Sequence, residues 1–172
     1  MITEIVKNSA RFIILLFLQV LIVKNIYLGK YFIFFPYILF ILLLPFQTPR
    51  PFALLVSFAL GLAVDAFYNT QGMHAASCVL MAFARGGVLK LFSPREGYDE
   101  ILKPTIEHMG FTWFVSYSLV LIFIHHLLLF FLESFSFSEF LQTAARVFCS
   151  TLATFAFVIP LQFLFHRREE RI

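Results

Sequence analysis

Six apolar runs, most of them close to the length a lipid bilayer demands, leave this chain little choice of fold. They cover residues 12–28, 31–46, 51–68, 73–92, 110–132 and 143–165. A hydrocarbon core about 30 Å thick takes roughly 20 helical residues to cross. The chain has 172 residues, of which 60% are hydrophobic and 25 are phenylalanine, and its mean hydropathy is +0.88. A water-soluble core of this size could not hide so much apolar surface. The sequence therefore predicts an all-α polytopic integral membrane protein: one domain, residues 1–172, with about six transmembrane helices.

The first two runs are the weakest. Lys24 and Asn25 interrupt one, and the other is short, although snorkelling lysines and interfacial tyrosines can make up the difference. The alternative is a single re-entrant hairpin. Lys7 and Arg11 ahead of the first run also fit a secretory signal, but Lys24-Asn25-Ile26 follows it without a small-residue cleavage pattern, so a retained helix is expected.

Orientation follows from lysine and arginine. Six spans with the N-terminus inside put ten on the inner side (Lys7, Arg11, Arg50, Arg85, Lys90, Arg95, Lys103, Arg167, Arg168, Arg171) and three outside (Lys24, Lys30, Arg146). This bias predicts that both termini are cytoplasmic. It also accounts for the net charge of +3, so the basic balance is no sign of nucleic acid. Cys78 and Cys149 fall inside expected helices and make neither a disulfide framework nor a metal cluster.

The one long connection, residues 93–109, is expected on the cytoplasmic side. Ile101, Leu102, Ile106 and Met109 could line a short interfacial helix that Pro104 would break. A solvated connector is the plainer expectation, and a docking surface for a cytoplasmic partner the sharper one. On the outer face, "ESFSFSEFLQ" carries Phe135, Phe137 and Phe140, which can rest at the headgroup level or meet another membrane protein.

An ionised group at membrane depth costs about 2.5–3.5 kcal/mol on insertion scales, so such groups are generally paired or face water. Asp65 ends the third run, with Asn69 one turn on and Gly61 on the same face, where a missing side chain lets another helix approach. Gly72 opens the fourth run beside His74. His125 and His126 lie in the outer third of the fifth helix, Glu133 at its end, and Arg146 in the first turn of the sixth. Topology thus predicts that Asp65, Asn69, His74, His125, His126, Glu133 and Arg146 meet at one membrane level. Arg146 is the first expected partner of Asp65 and His74 the second, in a pairing that fixes helix register or in a partner- or ligand-binding role.

Adjacent helical residues point about 100° apart, so His125 and His126 are not expected to share a metal ion. Arg85, before Gly86-Gly87, is expected to snorkel towards the cytoplasm as an anchor on the inner side. No nucleophile elbow, His-Glu-x-x-His, Walker loop or dinucleotide turn is present. The sequence predicts no catalytic residues and no cofactor.

Phe35-Pro36-Tyr37 with its apolar run to Pro45, then "GLAVDAF", then Gly72 opening a run of small residues, resembles the rod shape-determining membrane protein MreD family of bacteria. "DAFYNTQGMHAA", Arg85 and "HHLLLFFLE" resemble the version found in the Bacteroidetes. The resemblance implies a non-catalytic inner-membrane component of the wall-elongation machinery. Implied partners are an MreC-like periplasmic scaffold, a RodA-like glycan polymerase with its penicillin-binding transpeptidase, and an MreB-like filament. It makes Asp65, Asn69, Gly72 and His74 partner-interface or fold-critical candidates. The competing expectation is the substrate-binding component of an energy-coupling-factor vitamin transporter, in which the outward polar cluster would be a ligand pocket. Large residues throughout "RFIILLFLQVLIVKN" speak against it, since such components usually carry Ala-x-x-x-Ala there.

Overall fold

The computed structural model describes residues 2–26, 29–99, 102–135 and 139–169, with side chains from 6 to 164 within those ranges. Leu28, Ile101, Phe137 and Arg171, which entered the expectations above, lie outside them. All regular structure among the described residues is helical, and they contain no strand. The first helix, α1 (Ile2–Phe17), runs on through a π turn at Leu18–Ile22 and a tight turn at Val23–Asn25. After it come α2 (Leu39–Leu42), α3 (Arg50–Tyr68), α4 (Met73–Leu91), α5 (Ile106–Met109), α6 (Phe111–Ser134) and α7 (Phe140–Glu169).

Among the described residues, four stretches are long and apolar enough to cross a membrane: Val6–Asn25, Arg50–Tyr68, Phe111–Ser134 and Phe140–Leu164. α4 equals α3 in length at 19 residues but carries Arg85 and Lys90, and is not among the four. α3 packs on α4, α4 on α6 and α6 on α7, while α1 lies against α2 and α3. Phe58, Leu62, Phe83, Leu127, Phe148 and Leu152 are exposed, as helices facing lipid require.

The second apolar run is not a transmembrane helix. Residues 31–46 are helical only at Pro36–Ile38 and Leu39–Leu42. Proline cannot donate a backbone hydrogen bond and pushes the residue before it out of the helical region. Phe35 accordingly sits at φ −126°, ψ 73°, and the helical turns start at Pro36. Residues 34–44 are all buried, so a stretch that is apolar on every side is the centre of the molecule. The stretch is bonded at one end to α7, where Ser150 Oγ donates to the Tyr31 carbonyl, and at the other to α4, where Arg85 donates to the carbonyls of Leu44 and Pro45.

Irregular backbone survives away from water only where other groups satisfy it. Here side chains from three helices do so. The Ile33 N–H donates to Ser150 Oγ at 3.2 Å, the Phe35 N–H to Thr154 Oγ1 at 3.2 Å, and Tyr117 donates to the Leu42 carbonyl at 2.9 Å. Tyr117 also accepts from Arg85 Nε at 2.9 Å. Arg85 is therefore 4% exposed and turned into the protein, where a snorkelling side chain was expected. Tyr117→Phe is expected to cost about 1–3 kcal/mol, since it strands a buried carbonyl, read as a lower thermal midpoint in detergent.

The connection after α4 contains one helical turn, α5, which begins after Pro104 and is capped by the Thr105 side chain accepting from the His108 N–H at 3.4 Å. Its earlier part docks on the bundle. Tyr98 stacks on Phe46 at 4.2 Å and donates to the Leu89 carbonyl at 2.8 Å.

Candidate functional site

The turn between α3 and α4 is built from two left-handed residues, Asn69 at φ 55° and Gly72 at φ 81°. Asn69 ends α3, its N–H returning to the Asp65 carbonyl, and Gly72 precedes the first residue of α4. A helix start leaves its first N–H groups without partners, and glycine has no side chain to cap them. Asp65 supplies the missing cap from the neighbouring helix. Its Oδ1 accepts from the His74 N–H at 3.0 Å and its Oδ2 from the Ala75 N–H at 2.9 Å, and the Thr70 hydroxyl also donates to Oδ1. The positive end of the α4 dipole favours a carboxylate there.

Gly61 makes the approach possible. A Cβ built on it would lie 2.6 Å from both the Ala75 nitrogen and the His74 carbonyl oxygen. No side chain fits between α3 and the start of α4.

Arg146 is not the partner of Asp65. It pairs with Glu133 at 3.0 Å and lies over the Phe130 ring at 4.3 Å. The two side chains are 23% and 43% exposed, so solvent screens the pair and it contributes about 0–1 kcal/mol. The His74 ring is not the partner either; its backbone N–H is. Asp65→Asn and Arg146→Gln are therefore expected to act additively in a double-mutant cycle on detergent stability, with the arginine substitution costing about 1 kcal/mol or less.

The imidazoles of His74 and His125 belong to a second, buried group centred on Tyr37, a residue of the Phe35-Pro36-Tyr37 motif that was not among the expected site residues. Tyr37 Oη lies 2.8 Å from His74 Nδ1 and 2.8 Å from His125 Nε2. The tyrosine has one proton to give, so one of the rings presents an N–H to it and the other a lone pair. Cys78 Sγ lies 3.9 Å from both Tyr37 Oη and His125 Nε2. The Phe35 ring packs against His74 and His126. Tyr37 is the only tyrosine in the buried run 34–44, and a buried phenol needs a polar partner, a sequence signal that could have found it.

His126 stands apart from this group. Its Nδ1 lies 2.9 Å from the Ile122 carbonyl, which can only accept, so that nitrogen carries the proton. Its Nε2, 3.0 Å from Thr154 Oγ1, then accepts the hydroxyl proton, while the same hydroxyl accepts the Phe35 N–H. The Nδ1 bond stays within α6 and fixes the ring, while Nε2 through Thr154 links α6 to α7 and the central segment. Among the described residues no group of three or more His, Cys, Asp and Glu is placed to hold a metal ion.

The structure thus gathers Asp65, Gly61, Gly72 and His74 at one helix junction and joins His74 to His125 through Tyr37. Asn69 is exposed and contributes its backbone turn, and Glu133 with Arg146 forms a separate pair nearer the surface. Tyr37→Phe is expected to cost about 2 kcal/mol by stranding two buried ring nitrogens, and Tyr37→Phe with His125→Leu to cost less than the sum of the single changes, measured as unfolding in detergent. Set against protein-family models, curated proteins and solved structures, the chain matches none.

Proposed function

We propose that this chain is a non-catalytic scaffold of the bacterial inner membrane, of the MreD type, that positions or activates the enzymes of wall elongation. The observation that carries the proposal is where the polar groups go. Asp65 caps α4, Tyr37 ties His74 to His125, His126 holds Thr154, and Arg85 clamps the end of the central segment. Polar side chains spent on fixing helices suit a protein that works by shape.

In this proposal α4 and the segment 31–46 also cross the bilayer, giving six crossings with both termini cytoplasmic. Two sets of contacts support it. Lys24 donates to the Phe67 carbonyl and Lys30 to Gln142, which groups the end of α1, the end of α3 and the start of α7. Arg50 lies beside Gly86, and Trp113 donates to the Phe92 carbonyl, which groups the opposite ends. The lysine and arginine bias then assigns the second group to the cytoplasm. A cysteine in place of Ser93 is expected to react with a membrane-impermeant thiol reagent only after the cells are opened; labelling of intact spheroplasts would invert the topology.

One observation favours the transporter-component reading: a cavity of about 420 Å³ lies at the Lys24 end, lined by Lys24, Lys30, Tyr68 and Arg146 among others. One experiment separates the two. Tagged protein purified from native membranes in mild detergent is expected to bring down an MreC-like scaffold and a RodA-like polymerase. Recovery of ATPases with a coupling subunit would reassign the chain to vitamin uptake.

A further inference from the structure

A second cavity lies at the other end of the molecule, between the start of α3 and the end of α4. It measures about 380 Å³, and its lining includes Arg50, Arg85 and Lys90 with no acidic residue among the lining side chains. Arg85 is 4% exposed and already holds the Leu44 carbonyl and Tyr117. Arg50 and Lys90 have no hydrogen-bond or ion-pair partner among the described residues. Arg50 lies over Gly86, where a Cβ would be 3.5 Å from its Nε. The positive end of the α3 dipole starts at the same place.

No side chain lining the cavity carries a negative charge to set against these three, and its hydroxyls turn their protons to backbone carbonyls. The hydroxyls of Thr48, Ser93 and Tyr98 donate to the carbonyls of Pro45, Pro94 and Leu89. Tyr98 and Trp113 also cover the carbonyls at the end of α4. Three cations around a cavity of this size form a site for a multivalent anion.

Beside it runs an apolar groove of about 850 Å³ between α1 and α3, walled by Phe12, Ile13, Phe40, Phe52 and Val56. Thr48 lines both spaces, so the loop between α2 and α3 is the divide between a charged chamber and an oily one. A ligand that fills both has a phosphate at one end and a hydrocarbon chain at the other.

We infer that this end of the molecule binds an anionic phospholipid, its phosphate between Arg50, Lys90 and Arg85 and one acyl chain in the α1–α3 groove. The site stands on the cavity and its cations alone; only its assignment to the cytoplasmic leaflet rests on the orientation proposed above. Binding to purified protein needs none of the proposed partners, so its failure and theirs are separate results.

The test is a titration of the full chain, purified in a non-ionic detergent, with phosphatidylglycerol, read by native mass spectrometry. Arg50→Gln with Lys90→Gln is expected to weaken binding roughly thirtyfold, the effect of about 1 kcal/mol for each of two cations near a lipid surface. Lys24→Gln with Lys30→Gln removes the same net charge at the opposite end and is expected to leave binding unchanged. Val56→Trp, which narrows the groove without altering charge, is expected to weaken it too, and carries the test if the charge variant does not fold. Equal losses in both lysine-containing pairs, unchanged binding in Arg50→Gln with Lys90→Gln, equal affinity for phosphatidylcholine, or full displacement by inorganic pyrophosphate would each overturn the inference.

Discussion

Replacing Gly61 with leucine is expected to leave no folded protein in detergent extracts. A Cβ at this position already lies 2.6 Å from the Ala75 nitrogen and the His74 carbonyl oxygen, and the rest of a leucine would lie deeper in α4. Overpacking usually costs about 1–3 kcal/mol because a neighbouring side chain moves aside. Here the neighbour is helix backbone, so α3 and the start of α4 must part, and Asp65 must leave the N–H groups it caps. The loss is expected to exceed that range. Gly61→Ala should be the milder form of the same lesion, with a lowered thermal midpoint. Size-exclusion profiles of the two variants check both, and a monodisperse Gly61→Leu with a wild-type midpoint would refute the close approach.

Asp65→Ala should be the next most damaging change. It strands the N–H groups of His74 and Ala75, each buried, at about 1–3 kcal/mol apiece, and removes a charge that the start of α4 attracts. Asp65→Asn keeps one accepting oxygen but turns an NH₂ towards the second N–H, so about half of the loss should remain. Thermal unfolding in detergent orders the three proteins. An alanine variant as stable as the asparagine one would mean that the contact asparagine keeps contributes nothing.

The limits of three of the six apolar runs were legible in the sequence. The expected 51–68, 73–92 and 110–132 differ from α3, α4 and α6 by no more than a residue or two at either end. Gly61 was also legible, since a glycine on the face of a buried carboxylate marks a close approach. The partner of Asp65 was not. Pairing by charge pointed to Arg146, yet the donors are the Thr70 hydroxyl and the N–H groups opening α4, nine and ten residues along. Gly72 held the clue, because a helix that begins after glycine must borrow its cap.

The segment 31–46 shows the other limit. Hydropathy measures avoidance of water and does not distinguish lipid from protein interior, so an apolar run around a proline read as one more span. Pro36 and Pro45 are visible in it, but transmembrane helices tolerate such prolines, so they do not mark the break by themselves. What separates the alternatives is the set of side chains that serve the segment's backbone, and these lie far along the chain.

That distance has a consequence for biosynthesis. The groups that complete the segment belong to Arg85, Tyr117, Ser150 and Thr154, between 40 and 119 residues downstream. A nascent chain leaving the ribosome thus carries its own centre long before it carries the helices that make the centre habitable. Until α7 is synthesised, Ile33 and Phe35 have backbone donors and nowhere in this protein to place them. α7, made more than a hundred residues later, is the helix that closes that early gap.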